Sequence, residues 1–312
     1  MNNIVNENED NKWLYLLAYL FLKQNEEFND LWNTFEDEIK HRNRFFLESN
    51  QKICDLFEKC IPHAIYNLEK GNKLYRARKF SISDYSEDVK KLNELLEQFN
   101  KSDILIKIHN GTWKELIAPE IKDIFEKVSQ EVFLGFNEEK SDAPLSDQAT
   151  SGRANPNGIS YLYTSENYKI SISELRPVFG QEISVAEIEI INTLRLFDFT
   201  STIQDTEGKH LNESIIRRMI GDKISTPNYG NKMDYLPTQY ICEMLKNKFG
   251  FDGIRFKSSL IEKGNNIVLF DTSFNDKGKH KNYIIRNSSW YKIKSVVVEE
   301  EKILPIATDK VV

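Results

Sequence analysis

The chain has 312 residues, 40% of them hydrophobic, which is enough to bury a globular core. Its 42 lysines and arginines stand against 48 aspartates and glutamates, and the net charge of −6 argues against nucleic acid or an anionic membrane surface as a partner. The three cysteines, Cys54, Cys60 and Cys242, form no CxxC pair and leave an odd thiol, which favours a cytoplasmic location and positions in the core.

An apolar run of ten residues, Trp13 to Leu22, is the first recognisable element. A helix that spans a membrane needs about 20 apolar residues, so this run is too short to cross one. Acidic residues precede it at 7–10, whereas a signal peptide begins with positive charge. The run therefore predicts a buried helix.

Residues 1–70 carry the apolar spacing of amphipathic helices. The residues that follow this spacing are Phe28, Leu31, Trp32, Phe35 and Ile39, then Ile53, Leu56, Phe57, Cys60, Ile61, Ala64, Ile65 and Leu68. Pro62 should bend the second helix, and Gly71 should end it. The pattern predicts a helical N-terminal region whose apolar faces cover either the core of the following domain or a second copy of the chain.

A strand and an insert follow this region. Leu74 to Phe80 alternates as a strand does, with Arg76 and Arg78 on the same face. The chain then departs into an insert at about 81–151, which begins with mainly helical patterns. The last part of the insert, Glu138 to Ser151, is rich in Ser, Asp, Ala and Pro and predicts a mobile connector.

The stretch Gly152 to Pro177 contains most of the residues that could bind a ligand or take part in catalysis. The sequence Asn-Pro-Asn-Gly at 155–158 predicts a turn, which places Arg153 on a loop. Ile159 to Thr164 is β-branched and aromatic and predicts a short buried strand. A capped helix follows and carries Glu174. These residues place an arginine, two tyrosines and a carboxylate around one strand. The combination predicts a binding site for an anionic ligand that carries a ring.

The rest of the chain alternates between strands and helices. Strands are predicted at Ile183–Ile190, Leu194–Phe199, Gly253–Ser258, Asn266–Asp271 and Tyr291–Val298, and helices near Asn212–Ile220 and from a cap at Asp234 to Gly250. Lys263-Gly264-Asn265 predicts a hairpin turn. Strands separated by helices, with hairpin signals, predict an α+β fold with a mixed β core and mainly helical additions.

Several motifs, in order along the chain, resemble the RES domain family. They are Leu74-Tyr75-Arg76-Ala77-Arg78, the stretch Gly152 to Pro177, Tyr235-Leu236-Pro237-Thr238-Gln239, the segment Asp252 to Ser259 and the segment Gly264 to Phe270. The resemblance covers about residues 71–271 apart from the insert. It implies a mixed β core similar to ADP-ribosyltransferases and an enzyme that consumes NAD+. It also predicts two domains, 1–70 and 71–312, the second being catalytic.

The resemblance implies roles for individual residues. The expected catalytic residues are Arg76, Glu174 and Ser258, and the expected substrate-binding residues are Arg153, Tyr163, Arg78, Asn155 and Gln239. The arginines would hold phosphate oxygens, the tyrosine would stack on a ring, and the glutamate would stabilise positive charge on the ribose. Without the resemblance, the arginines would more often belong to ordinary surface ion pairs.

The motifs of several other enzyme classes are missing. The sequence holds no GxGxxG, GxxxxGK[ST], HExxH or GxSxG, so no Rossmann, P-loop, zinc or α/β-hydrolase site is predicted. The predicted function is cleavage of the nicotinamide–ribose bond of NAD+, by hydrolysis or phosphorolysis, in a toxin or defence effector without a separate cofactor. Transfer of ADP-ribose to a macromolecule and a non-catalytic nucleotide sensor remain alternatives. The expected protein partners are an antitoxin or regulatory protein and further copies of the chain.

Overall fold

The computed structural model describes residues 26–81, 87, 90, 132–200, 211–226, 232–261, 263–274 and 278–296. The apolar run at 13–22 lies outside the described residues, and so do the helical patterns of the insert, which centre on Leu92 to Phe99 and on Ile121 to Val128. Among the described residues, none of the helices is long and apolar enough to cross a membrane.

Within the described residues, eight strands form one mixed sheet. They are β1 (Ile65–Leu68), β2 (Lys73–Phe80), β3 (Leu162–Ser165), β4 (Glu182–Ile190), β5 (Leu194–Asp198), β6 (Gly253–Lys257), β7 (Asn265–Leu269) and β8 (Tyr283–Lys292). Their order is β1-β5-β6-β7-β3-β2-β4-β8, in which β5 and β6 are parallel and the other neighbouring pairs are antiparallel. The predicted α+β class with a mixed β core is confirmed.

Helices lie before and between the strands. They are α1 (26–37, continued by a π-helical turn Glu38–Arg42), α2 (Asn50–Cys60), α3 (Glu138–Ser141), α4 (Tyr168–Glu174), α5 (Leu211–Ser225) and α6 (Leu236–Asn247). Pro237 lies in the first turn of α6, where its missing N–H is not needed. The predicted hairpin is confirmed, because β6 and β7 pair antiparallel through the turn at Gly264.

The N-terminal helices share one hydrophobic core with the sheet. The core includes Phe28, Trp32, Phe35 and Ile39 of α1, Ile53 and Phe57 of α2, Phe197 of β5, Ile241 of α6 and Phe251. The two predicted amphipathic helices are therefore confirmed, and they cover the sheet of the same chain. The division of the chain at residue 70 stays a prediction.

The second helix is shorter than its apolar pattern predicts. It ends at Cys60, a 3₁₀ turn containing Pro62 follows, and residues 65–68 form strand β1. The helical prediction for these four residues was wrong because they gain backbone hydrogen bonds by pairing antiparallel with β5, from Ile65 opposite Phe197 to Leu68 opposite Leu194.

Two predictions near the C-terminus were also wrong. Asp234 does not cap α6, because a 3₁₀ turn precedes this helix and the Asp234 carboxylate accepts a 2.6 Å hydrogen bond from Lys40 instead. The edge strand is β8, not Tyr291–Val298. Its polar centre at 287–289 hides the alternation in the sequence, whereas pairing along the whole of β4 defines the strand in the structure.

The connector predicted as mobile is packed against the sheet. It contains α3, whose Ser141 is buried and donates a hydrogen bond to the carbonyl of Phe136. Ala149 is also buried, and its carbonyl accepts from the Gly158 N–H at 2.8 Å. The connector therefore forms one wall of the cleft described next.

Candidate active site

A cleft of about 450 Å³ lies beside strands β2 and β3, between α4 and the loop that carries Arg153. Its walls contain Tyr75, Arg76, Ala77, Pro144, Thr150, Ser151, Gly152, Arg153, Asn155, Tyr161, Tyr163, Thr164, Ser165, Ser171, Glu174, Leu175, Tyr235, Phe256 and Asn266. The walls combine two guanidinium groups, one carboxylate and several aromatic rings. Such a combination suits an anionic ligand that also carries planar rings.

Glu174 enters the cleft from the end of α4. The helix begins at the cap residue Asn167, whose side chain accepts a 2.8 Å hydrogen bond from the Lys169 N–H, and the helix buries Ile170. Seven residues later, Glu174 is the last residue of the helix. The short helix thus fixes the carboxylate at the edge of the sheet.

Two side chains from the β6–β7 hairpin hold the Glu174 carboxylate. Ser258 Oγ and Asn266 Nδ2 each donate a 2.7 Å hydrogen bond to Glu174 Oε1. Asn266 is itself oriented by Ser165, whose hydroxyl donates to Asn266 Oδ1 at 2.6 Å. Both donors act on the same oxygen, and the carboxylate therefore has a fixed direction.

Tyr163 and Asn155 stabilise the loop that carries Arg153. The Asn155 amide donates to the carbonyls of Thr150, Pro156 and Ile159 at 2.8–3.1 Å. The Tyr163 hydroxyl donates to Asn155 Oδ1 at 2.7 Å and accepts from the Ala154 N–H at 3.0 Å. Burial raises the pKa of Tyr163 well above its usual value, so the hydroxyl stays protonated. These polar groups maintain the loop, and the Tyr163 ring lines the cleft.

Helix α6 supports the same loop from behind. Gln239 Nε2 donates to Ser151 Oγ at 2.8 Å and to the Gly152 carbonyl at 2.7 Å. Thr238 Oγ1 donates to the Arg153 carbonyl at 2.6 Å. Arg153 Nη1 donates to the carbonyl of Ser225, in the last turn of α5, at 2.8 Å. One nitrogen thus anchors the Arg153 guanidinium at the wall of the cleft.

Arg76 enters the cleft from β2, which lies beside β3 in the sheet. Among the described residues, its guanidinium has no hydrogen-bond or ion-pair partner, and its Nε is shielded from solvent. Burial, followed by the nearby charge of Arg78, lowers the pKa of Arg76 to about 10. The side chain is still charged at neutral pH. A half-buried cation without a hydrogen-bonded partner favours an anionic ligand.

The cleft brings together most of the predicted site residues. Arg76, Arg153, Asn155, Tyr163 and Glu174 line it. The other three predicted residues, Ser258, Gln239 and Arg78, take up different positions. Ser258 is bonded to Glu174, and Gln239 is buried behind the loop.

Arg78 lies apart from the cleft. It is exposed, donates to the Lys140 carbonyl, and has its guanidinium 5.4 Å from the centre of the Phe136 ring. It lines a separate cavity of about 1000 Å³. The sequence predicted Arg76 and Arg78 on the same face of a strand, but the two side chains line different cavities.

Asn266 is the functional candidate that sequence reasoning missed. It stands in a motif that carries the family resemblance, yet its sequence gives no sign of contact with Glu174. The role of Asn266 becomes visible only from the pairing of β3 with β7, which places Asn266 opposite Ser165. There its side chain reaches Glu174 at the end of α4. In the described part of the chain, no group of three His, Cys, Asp or Glu side chains could hold a metal ion.

The family model of the RES domain matches residues 134–286, a range that contains Arg153, Tyr163, Glu174, Ser258 and Asn266. Residues 134–286 therefore match the RES domain, and the resemblance inferred from the motifs is confirmed. Arg76 precedes the matched range but belongs to the same sheet.

The chain is also similar to a solved structure, the crystal structure of the M. tuberculosis MbcT-MbcA toxin-antitoxin complex. The identity is 12%, the match covers 77% of this chain and 92% of that chain, and the TM-score is 0.33. None of the curated proteins matches the chain.

Proposed function

We propose that the chain is an enzyme that cleaves the bond between nicotinamide and ribose in NAD+. The observation that carries the proposal is one cleft that holds a fixed carboxylate, Glu174, together with two guanidinium groups, Arg76 and Arg153. NAD+ offers the matching groups, a pyrophosphate and a ribose that gains positive charge when nicotinamide leaves. The RES domain provides the family context.

The arginines would bind the pyrophosphate. Arg153 is anchored through Nη1 on Ser225, and Arg76 has no hydrogen-bonded partner among the described residues. Guanidinium groups bind phosphate oxygens through paired N–H donors, so two of them can fix the dinucleotide in one orientation. The ring of Tyr163 lines the same cleft and would flank the nicotinamide.

Glu174 would act on the ribose. When the glycosidic bond breaks, its electron pair leaves with nicotinamide and positive charge develops on the ribosyl carbon. A carboxylate held in place by Ser258 and Asn266 stabilises that charge without reorganising during the reaction. An oxygen of water or phosphate then bonds to the ribosyl carbon, and in hydrolysis the water proton passes to Glu174 or solvent.

The biological setting follows from the family resemblance and from the thiols. We propose a cytoplasmic toxin or defence effector that an antitoxin or regulatory protein controls. In the described structure, Cys54, Cys60 and Cys242 are buried and form no disulfide, as expected in a reducing compartment.

Product analysis tests the proposal directly. The purified chain is incubated with NAD+ with and without phosphate, and the products are separated by chromatography. Nicotinamide with ADP-ribose indicates hydrolysis, and nicotinamide with a phosphorylated ADP-ribose indicates phosphorolysis. Label transferred from NAD+ to added protein or nucleic acid would identify a transferase. NAD+ binding without nicotinamide release would overturn the enzymatic proposal in favour of a sensor.

A further inference from the structure

Ser151 lines the cleft on the same loop as Arg153, and the proposed reaction gives it no role. Its side chain is half-buried. Among the described residues, its hydroxyl group makes one hydrogen bond, a 2.8 Å contact between Ser151 Oγ and Gln239 Nε2. The direction of this bond decides whether the protein itself uses the hydroxyl proton of Ser151.

A neighbouring carbonyl group fixes the direction of that bond. Gln239 Nε2 also lies 2.7 Å from the carbonyl oxygen of Gly152. Because a carbonyl oxygen can only accept, the Gln239 atom that faces it is the amide nitrogen, and this nitrogen donates its second N–H to Ser151 Oγ. Gln239 is buried in α6, which holds the amide in place. Ser151 Oγ is therefore the acceptor in this contact, and its own proton is not used.

The hydroxyl proton of Ser151 has no acceptor in the part of the chain that the structure describes. A hydroxyl group rotates about its C–O bond, so this proton can turn towards an oxygen that a ligand brings into the cleft. Arg153 lies two residues further along the loop and uses Nη1 on the Ser225 carbonyl, which leaves other guanidinium donors for the same ligand. A hydroxyl donor beside a guanidinium group suits a phosphate oxygen.

The acceptor groups of the loop are bound to α6. Thr238 Oγ1 donates to the Arg153 carbonyl at 2.6 Å, and Gln239 Nε2 donates to the Gly152 carbonyl at 2.7 Å. A carbonyl oxygen carries partial negative charge and would repel a phosphate group. Helix α6 thus engages two acceptors of the loop, whereas the Ser151 hydroxyl and the Arg153 guanidinium keep donors for the cleft.

We propose that Ser151 is a further substrate-binding residue, whose hydroxyl donates a hydrogen bond to a phosphate oxygen of the dinucleotide beside Arg153. Gln239 is a positioning residue that acts through Ser151, because its N–H occupies Oγ as an acceptor and leaves the proton for the ligand. That the ligand is a dinucleotide rests on the proposed function, whereas the phosphate contact does not.

Titration calorimetry with ADP-ribose tests the contact, because this molecule keeps the pyrophosphate and lacks the bond to nicotinamide. Ser151→Ala removes the donor, and loss of a hydrogen bond to a charged group predicts a Kd at least about tenfold higher. Ser173→Ala is the matched control, since the Ser173 hydroxyl is exposed on α4 and already donates to the Lys169 carbonyl at 2.9 Å. This control should bind ADP-ribose as the natural chain does. Thermal unfolding checks that each variant is folded.

A second background separates ligand binding from a purely structural role of Ser151. If Ser151 serves only to accept the bond from Gln239, Ser151→Ala should have no further effect in a Gln239→Leu variant, which lacks that donor. If Ser151 binds phosphate, Ser151→Ala should still raise the Kd several-fold in that background. Should Gln239→Leu not fold, Ser151→Thr and Ser151→Val give the same comparison, because they share a shape and differ by the hydroxyl group. The threonine variant should then bind ADP-ribose more tightly than the valine variant.

The outcomes separate this inference from the proposed function. Equal affinities of Ser151→Ala and the natural chain, an effect that disappears in the Gln239→Leu background, or no binding of ADP-ribose at all would overturn the role of Ser151, even if NAD+ is cleaved. Weaker binding by a folded Ser151→Ala variant that persists in the Gln239→Leu background would support the phosphate contact. If the natural chain then releases no nicotinamide from NAD+, the contact stands and the enzymatic proposal is overturned.

Discussion

Ser258 and Glu174 lie 84 residues apart in the sequence and are joined by a hydrogen bond of 2.7 Å. Asn266 donates to the same carboxylate oxygen at the same distance. The β6–β7 hairpin thus orients a carboxylate that α4 supplies. An ordinary surface glutamate makes no such pair of hydrogen bonds, and the arrangement is typical of a group whose direction matters for its chemistry.

Replacing Glu174 by Gln tests that role. The amide keeps the shape of the side chain but removes the charge that would stabilise the ribosyl cation, so turnover of NAD+ should fall at least about a hundredfold. Glu139→Gln, an exposed carboxylate outside the cleft, is the matched control and should keep full turnover. The measurement is nicotinamide release, with thermal unfolding to check the fold. An unchanged rate would remove Glu174 from the chemistry.

Arg153→Lys should weaken NAD+ binding although the charge is kept. The Arg153 guanidinium binds the Ser225 carbonyl through one nitrogen and has further donors for phosphate, whereas a single ammonium cannot reproduce that fork. Loss of one charge-assisted hydrogen bond predicts a Kd about tenfold higher by calorimetry. Arg218→Lys, on the exposed side of α5, should bind as the natural chain does. Equal affinities for the two variants would mean that Arg153 acts only as a point charge.

Deleting residues 1–70 should yield an aggregated or unfolded product. The deletion removes buried aromatic residues of α1 and α2 from the shared core, among them Trp32, Phe35 and Phe57, and it also removes strand β1. Each buried side chain contributes about 1.5 to 3 kcal/mol, so the loss exceeds the net stability of a typical domain. Size-exclusion chromatography and circular dichroism are the measurements. A monodisperse, active truncated protein would contradict this expectation.

The cysteines should resist thiol reagents in the folded state. Burial raises the pKa of Cys60 to about 12, and burial also raises that of Cys242 well above its usual value. Because the thiolate is the reactive form, a raised pKa leaves these groups protonated at pH 8. An Ellman titration should label them only after denaturation, which should expose all three thiols. Rapid labelling of Cys60 in the native protein would contradict this expectation and would show that the C-terminal end of α2 unfolds locally.

The order of the strands is one thing that the sequence did not reveal. Local patterns identified β2, β3, β4 and the β6–β7 hairpin, because alternation and turn residues are local properties. The same patterns extended a helix across residues 65–68 and missed most of β8. Both segments are edge strands whose conformation depends on a neighbouring strand, a relationship that no window of the sequence contains.

The sequence by itself determined the α+β class and the chemical types at the site, because motifs at Arg153, Tyr163, Glu174 and Ser258 carry the family resemblance. Only the tertiary structure decided which of these groups meet. It separated Arg78 from the cleft and added Asn266. The physical reason is that side-chain hydrogen bonds and burial depend on distances set by strand pairing between segments far apart in the chain.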